Sequence, residues 1–352
     1  MLLKDTLEKI TGLDKNAQKA AQSRLDSLTK PLGSLGRLED LVRQVAGITG
    51  QVRPCIDKKT IVIMCADNGV VEEGVSSCPK SVTASVTENF TRGITGVCVL
   101  GKNAGADIHI VDVGVDAELG CAGIVDRKIR RGTWNIAKGP AMTRGEAVRA
   151  IETGIETVSG LVHNGVQLFG TGEMGIGNTT TSSAVTAVIT GKTVEEVVGR
   201  GSGLTDAGLQ RKTEVIKKSI AINKPDRNDP IEVLEKLGGF DIAGLTGCFL
   251  GAAALRRPIF IDGFIASVAA LIAYMLKPEA REYMIASHGS AEPGSRAVLD
   301  AIGLEPLLML GMRLGEGTGA AVAFHIIDAA FAAYNRMGTF GDALIEQYKP
   351  LE

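Results

Sequence analysis

Aromatic side chains are scarce in this chain: they make up 4% of its 352 residues, with a single tryptophan, Trp134. A core short of large rings must be filled by small apolar groups at close range. With 45% of residues hydrophobic, there is enough material for a sizeable core in one or two domains. An excess of charge of one sign is also missing. Lysine and arginine number 38 against 40 aspartates and glutamates, giving a net charge of -2 without a long run of either sign. Such a surface does not attract a polyanion as a whole, which argues against nucleic acid as a partner. The six cysteines, Cys55, Cys65, Cys78, Cys98, Cys121 and Cys248, include no CxxC pair, and reduced thiols in the cytoplasm are the simple reading. The first residues, MLLKDTLEKI, carry charge where a signal peptide needs an apolar stretch. The longest apolar run, Phe264 to Leu276, falls short of the roughly 20 residues a membrane helix needs and reads as a buried helix.

Glycine, by contrast, is abundant, with 44 residues. Two clusters frame a glutamate each: Gly170-Thr-Gly-Glu173-Met-Gly-Ile-Gly177-Asn-Thr-Thr-Thr181 and Leu314-Gly-Glu316-Gly-Thr-Gly319. Glycine lets a backbone turn sharply and come close to a ligand, and a carboxylate has little structural reason to sit in such a frame. The two frames read as two lips of one active site.

Short apolar runs repeatedly end in a polar or glycine-rich turn and lead into a helical pattern. They are Thr60 to Ala66 before Asp67, Asp107 to Val113 before Gly114, Val166 to Phe169 before Gly170, Pro258 to Ile261 before Asp262, and Tyr283 to Ala286 before Ser287 and His288. Continuous apolar strands alternating with helices predict an α/β fold, a parallel sheet with helices on both faces. In such folds ligands collect outside the carboxyl ends of the strands, where all these turns would lie. Residues 17–28 and 35–48 show helical spacing on either side of a break at Lys30-Pro31-Leu-Gly33, and 317–337 are alanine-rich and helical. Residues 1–55 and 317–352 are therefore expected to form a small helical subdomain beside a large α/β domain over 56–316. A short linker is read near Lys224 to Pro230.

Gly170-Thr-Gly172-Glu-Met-Gly175 formally matches GxGxxG, but no apolar strand or acidic ribose contact follows at the spacing a dinucleotide fold requires. The frame does offer free backbone N–H groups around Gly175, Gly177 and Asn178, and the hydroxyls of Thr179, Thr180 and Thr181 at a helix start. That combination suits an anion. A second candidate cradle is Gly199-Arg-Gly201-Ser202-Gly203, followed by Lys212, and a third is Ser287 to Gly294 with Ser290. Each alone is an ordinary turn; together they suggest a monophosphate ligand with Lys212 as counter-charge. Of the strand-end aspartates Asp67, Asp112 and Asp262, where caps are the usual explanation, Asp67 and Asp262 rank as pocket neighbours. His288 is the histidine at a strand end.

The segments LTKPLGSLGRLEDL (28–41), MCADNGVVEEGVS (64–76), TRGITGVCVL (91–100), FGTGEMGIGNTT (169–180), GGFDIAGLTG (238–247), IDGFIASVAAL (261–271), SHGSAEPG (287–294) and MRLGEGTGAA (312–321) together resemble the nicotinate-nucleotide:dimethylbenzimidazole phosphoribosyltransferases, in order and across essentially the whole chain. The resemblance implies transfer of ribose 5-phosphate from nicotinate mononucleotide to a benzimidazole, in the assembly of the cobalamin lower ligand. No cofactor or metal is implied, because the pyridinium of the donor is already a good leaving group and no clustered His/Asp or His/Cys set is seen. By the same resemblance Glu316 is the general base, and Glu173 lies across the pocket as a supporting charge. The enzyme would be a homodimer. Read from sequence alone, Glu316 fits equally well as a carboxylate at a helix N-terminus, stabilising by ~0.3–1 kcal/mol.

Cys78-Pro79 is read as a helix start, which places Cys78, Val82 and Val86 one turn apart on one face. In the resemblance that face, with Leu314 from the second frame, borders the incoming base. Some members carry serine and a polar side chain at the positions of Cys78 and Val86. An apolar wall here favours dimethylbenzimidazole or a phenol over adenine. The plain alternative for the three side chains is core packing.

Overall fold

In the computed structural model, which describes residues 1–347, the apolar runs become the strands of one sheet. β1 (Lys59–Ala66), β2 (Ala106–Gly114), β3 (Ile124–Asp126), β4 (Leu168–Met174), β5 (Ile259–Ile261) and β6 (Met284–Ala286) lie in the order β3-β2-β1-β4-β5-β6, and every neighbouring pair is parallel. The expected α/β architecture and all five expected strands are present. β3 is the strand the sequence does not announce: it has only two apolar residues and none of its three is buried, so no apolar run marks it.

Side chains alternate along β1, so Val62, Met64 and Ala66 enter one apolar core while Ile61, Ile63 and Cys65 enter another. Both faces are covered, which is why the strand reads as an unbroken apolar run. Helices Arg144–His163, Phe240–Ala254 and Phe264–Leu276 fill the first core. Helices Arg37–Thr49, Gly96–Asn103 and Thr318–Arg336 fill the second. Close approach compensates for the shortage of aromatics. A Cβ on Gly154 would lie 2.7 Å from the amide nitrogen of Cys248 and overlap the carbonyl oxygen of Gly244, so these two helices meet backbone to backbone.

At the N-terminus, helices Lys15–Ser27 and Arg37–Thr49 flank a turn in which the buried Lys30 Nζ meets Glu39 Oε1 at 2.8 Å. They pack on each other, and Arg37–Thr49 packs on Thr318–Arg336. The first helix, Leu2–Lys9, goes to the opposite core, against Arg144–His163 and Phe240–Ala254. Residues 348–352 of the expected helical subdomain lie outside the described residues.

Two local expectations are corrected. Gly170 to Glu173 are not a loop but the body of β4, so the GxGxxG match does not form the strand-to-helix turn a dinucleotide needs. Cys78 and Pro79 precede a helix that begins only at Val82 (Val82–Thr91). No helix among the described residues is long and apolar enough to cross a membrane.

Candidate active site

The strand order changes direction between β1 and β4, and loops leaving those two strands part to opposite sides of the sheet. A cavity of about 560 Å³ opens there, floored by Glu173 and Met174 at the end of β4, Asp262 after β5 and His288 after β6. The loop bearing Glu316 closes one side, helix Val82–Thr91 another, and residues 200–202 a third.

Glu316 is held in an unusual backbone. Gly315, Glu316 and Gly317 have φ of 84°, 63° and 98°, three successive left-handed residues of which only the glutamate carries a Cβ. That conformation costs on the order of 1–3 kcal/mol and persists only where the surroundings enforce it. Asp262 does so: its carboxylate accepts hydrogen bonds from the amides of Gly317 (3.0 Å), Gly319 (2.7 Å) and Ala320 (3.2 Å), capping helix Thr318–Arg336. The glycine frames also interlock. A Cβ on Gly172 would overlap the carbonyl oxygen of Glu316, and one on Gly315 would overlap Oε1 of Glu173. The glycines thus bring the two glutamates together across the pocket.

The carboxyls differ in state. Burial raises Glu316 above its ordinary value of 4.5; the Val97 amide opposes the rise and the charge of Asp262 adds to it. Its Oε2 is buried and accepts no hydrogen bond. The result is a carboxyl with increased proton affinity and one oxygen free of hydrogen bonds. Glu173 is more deeply buried. Burial first, then the charge of Asp241, pushes it up to about 8 against the opposing hydrogen bond from Asn178. Asn178 Nδ2 donates to Glu173 Oε2 and to Asp241 Oδ2 (3.1 Å), and Asp241 is itself raised to about 6 by burial. Burial thus shifts Glu173 toward its protonated form, against the supporting negative charge expected of it.

Thr179, Arg200, Gly201, Ser202, Ser290 and Arg313 also line the cavity, with Gly175, Gly177 and Asn178. Lys212 is not among the lining residues. It is fully buried behind Thr179, donating to Thr179 Oγ1 (2.8 Å) and the carbonyl of Gly199 (2.9 Å). The Gly201 amide is already bonded to Glu292 Oε1 (3.1 Å). Thr180 is buried and Gly203 turns away, both outside the cavity.

Val82, Val86, Met174, Ile176 and Leu314 also line the cavity and give it apolar surface. Cys78 stays outside the lining, because the turn before the helix carries it off that face. Asp67 also lies outside: buried, it accepts from the Asp116 amide (2.8 Å) and supports the turn after β1. Sequence reasoning passes over Val75, Ser76, Arg200, Glu292 and Arg313, which line the cavity. Arg200 and Glu292 stand inside the two candidate cradles, where attention falls on glycines and hydroxyls.

Comparison with known proteins accords with this geometry. A family profile described as "Phosphoribosyltransferase" (DBI_PRT) matches residues 10–345. The nicotinate-nucleotide–dimethylbenzimidazole phosphoribosyltransferase of Ruminiclostridium cellulolyticum is 64% identical over 352 residues, covering 100% of both chains. The chain belongs to this phosphoribosyltransferase family. The like-named protein of Acetivibrio thermocellus is 61% identical over 349 residues, covering 99% of each chain. Among solved structures, CobT from Thermus thermophilus superposes with a TM-score of 0.90 at 38% identity, covering 95% of this chain and 100% of that one. Family profile, relatives and solved structure agree on one family and one fold.

Proposed function

We propose that the protein transfers the 5-phosphoribosyl group of nicotinate mononucleotide to 5,6-dimethylbenzimidazole, giving α-ribazole 5′-phosphate and nicotinate. The observation that carries this reading is Glu316: a raised carboxyl with an unpartnered oxygen, held in a strained loop of the same cavity as the apolar wall of Val82 and Val86.

The acceptor ring lies against the wall. One of its nitrogens attacks C1′ of the ribose from the face opposite the pyridinium, whose C1′–N bond breaks with both electrons passing to the leaving nicotinate. Inversion converts the β-linked donor into an α-linked product. The second ring nitrogen of the acceptor becomes acidic as the first forms its bond, and Glu316 takes that proton, a contribution of about 100- to 10,000-fold. Glu173, shifted toward its neutral form by burial, leaves Glu316 as the proton acceptor and positions the donor through a hydrogen bond. The phosphate is held at Thr179, Ser202 and Ser290, with Arg200 and Arg313 in the same cavity.

The wall also suits a phenol or another weakly polar lower-ligand base, so acceptor choice is the finer point to test. A homodimer is proposed by likeness to the family, and exposed apolar side chains such as Met309 and Leu310 are available to such a contact. The six unpaired cysteines support a cytoplasmic setting. The test is incubation with nicotinate mononucleotide and a panel of benzimidazoles, purines and phenols, following nicotinate by chromatography. Release with benzimidazoles is expected; no release with any acceptor would overturn the reading.

A further inference from the structure

His288, just beyond β6, is buried and is the histidine of the cavity wall. Its Nδ1 lies 3.0 Å from Ser287 Oγ, and Ser287 Oγ lies 3.1 Å from the carbonyl oxygen of Asp262. A carbonyl can only accept, so the single hydroxyl hydrogen of Ser287 goes to Asp262, and Ser287 Oγ is left to accept from His288. Both bonds exist together only when Nδ1 carries a hydrogen. In that tautomer of the neutral ring the lone pair belongs to Nε2.

The packing of the ring sets where that lone pair lies. A Cβ on Gly319 would overlap Nδ1 and Cε1, so this edge of the ring is pressed against the start of helix Thr318–Arg336. Nε2 is on the side of Gly263, 3.6 Å from the place a Cβ there would occupy, and Gly263 and Ser290 both line the cavity. Among the described residues the side chain of His288 bonds only to Ser287. Nε2 is therefore an acceptor that takes its hydrogen from whatever fills the cavity. At about pH 8 the phosphate and carboxylate of nicotinate mononucleotide are ionised and only accept, which leaves the two ribose hydroxyls as its donors. Several other acceptors of the wall are already engaged: Asp262 by three amides, Glu292 Oε1 by the Gly201 amide and Glu173 Oε2 by Asn178.

We propose that His288 Nε2 accepts a hydrogen bond from a ribose hydroxyl of the nucleotide donor and thereby makes the site select the ribonucleotide over a deoxy analogue. This rests on the phosphoribosyl-transfer reading. The relay from His288 through Ser287 to the Asp262 carbonyl holds the ring in its accepting form before any ligand arrives. An analogue without the hydroxyl leaves a buried acceptor unpaired, which is how a site built around a substrate hydroxyl rejects it.

His288→Phe keeps a ring in the wall and removes its polar atoms. Binding of nicotinate mononucleotide and of its 2′-deoxy and 3′-deoxy analogues is measured by calorimetry at about pH 8, where the phosphate is ionised, with no acceptor base present. The parent should bind one of the two analogues on the order of tenfold more weakly than the ribonucleotide. In the variant that preference should vanish, with the ribonucleotide bound about as weakly as the parent binds that analogue. A parent that binds all three alike, or a preference that survives in the variant, overturns the proposal. Should the variant fold poorly, the ¹⁵N imidazole spectrum of the parent reads the same bond, because His109, His163 and His325 are not among the residues lining the cavity. One ring should show the Nδ1–H form, and its Nε2 resonance should move further with the ribonucleotide than with the disfavoured analogue. No ligand-responsive ring, or one that carries its hydrogen on Nε2, contradicts the proposal. Nicotinate release by the parent with dimethylbenzimidazole reports separately on the transferase reading.

Discussion

Replacing Gly172 with alanine should cripple turnover while leaving the fold standing. The added Cβ would sit 2.6 Å from the carbonyl carbon of Glu316 and 2.9 Å from the amide nitrogen of Gly317, with the Glu316 oxygen closer still. Carbon contacts are comfortable only at about 3.5–4 Å, so the loop must retreat by roughly 1 Å. Retreat is opposed by the three amide bonds that tie Gly317, Gly319 and Ala320 to Asp262. Displacing a reacting group by that distance costs on the order of 100-fold in rate. The assay is kcat and KM by chromatographic nicotinate release, alongside a melting curve. Gly170→Ala is the control, because its Cβ would press on the side chains of Ala320, Ile61 and Phe324 at 3.0–3.1 Å rather than on the Glu316 loop. It should lose stability with a much smaller loss of kcat. A Gly172→Ala enzyme with nearly parental kcat would refute the interlocking of the two frames.

Glu173→Gln should raise the melting temperature more at about pH 8.5 than at about pH 5. The folded carboxyl is raised from 4.5 to about 8, so the folded state binds the proton more tightly and wild-type stability falls as pH rises between those values. A difference independent of pH sinks that idea. Gly160 is exposed on helix Arg144–His163, with nothing within 4 Å of the place a Cβ would occupy, and Gly160→Ala should stabilise by ~0.4–1 kcal/mol in urea unfolding. Destabilisation would mean that the helix is not as open there as described. Val86→Gln should raise KM for dimethylbenzimidazole by on the order of tenfold and leave that for nicotinate mononucleotide unchanged. An unaltered acceptor KM would remove Val86 from the wall.

The sheet is legible in the sequence because buried parallel strands carry apolar residues on both faces, as in β1, and because each ends in a turn of distinctive composition. β3 lacks that signal because it is not buried on either face, unlike the equally short β5 and β6. The glutamate frames are legible as glycine clusters, but the reason for the glycines, the approach of the Glu316 backbone to β4, depends on elements far apart in sequence. Lys212 is legible as a cation, but not as one buried behind the cavity. Its burial has a signal, since Lys212, Val215, Ile216, Ser219 and Asn223 fall on one helical face and all are buried. The upward shift of Glu173 has no signal, because it follows from burial beside Asp241, 68 residues further along the chain. The helix boundary at Val82 is hidden because Cys78-Pro79 supplies a plausible start, while the chain makes one more turn before the helix begins.

Removal of the acceptor proton by Glu316 is the step on which the proposed transfer turns. The direct measurement is the turnover of Glu316→Gln with nicotinate mononucleotide and dimethylbenzimidazole, together with the pH–rate profile of the parent enzyme. Because burial raises the Glu316 carboxyl, the parent should lose activity with falling pH from a midpoint above 4.5. The variant should fall by about two to four orders of magnitude with a melting temperature no lower than the parent's. Near-parental turnover by a folded Glu316→Gln protein would contradict the assignment.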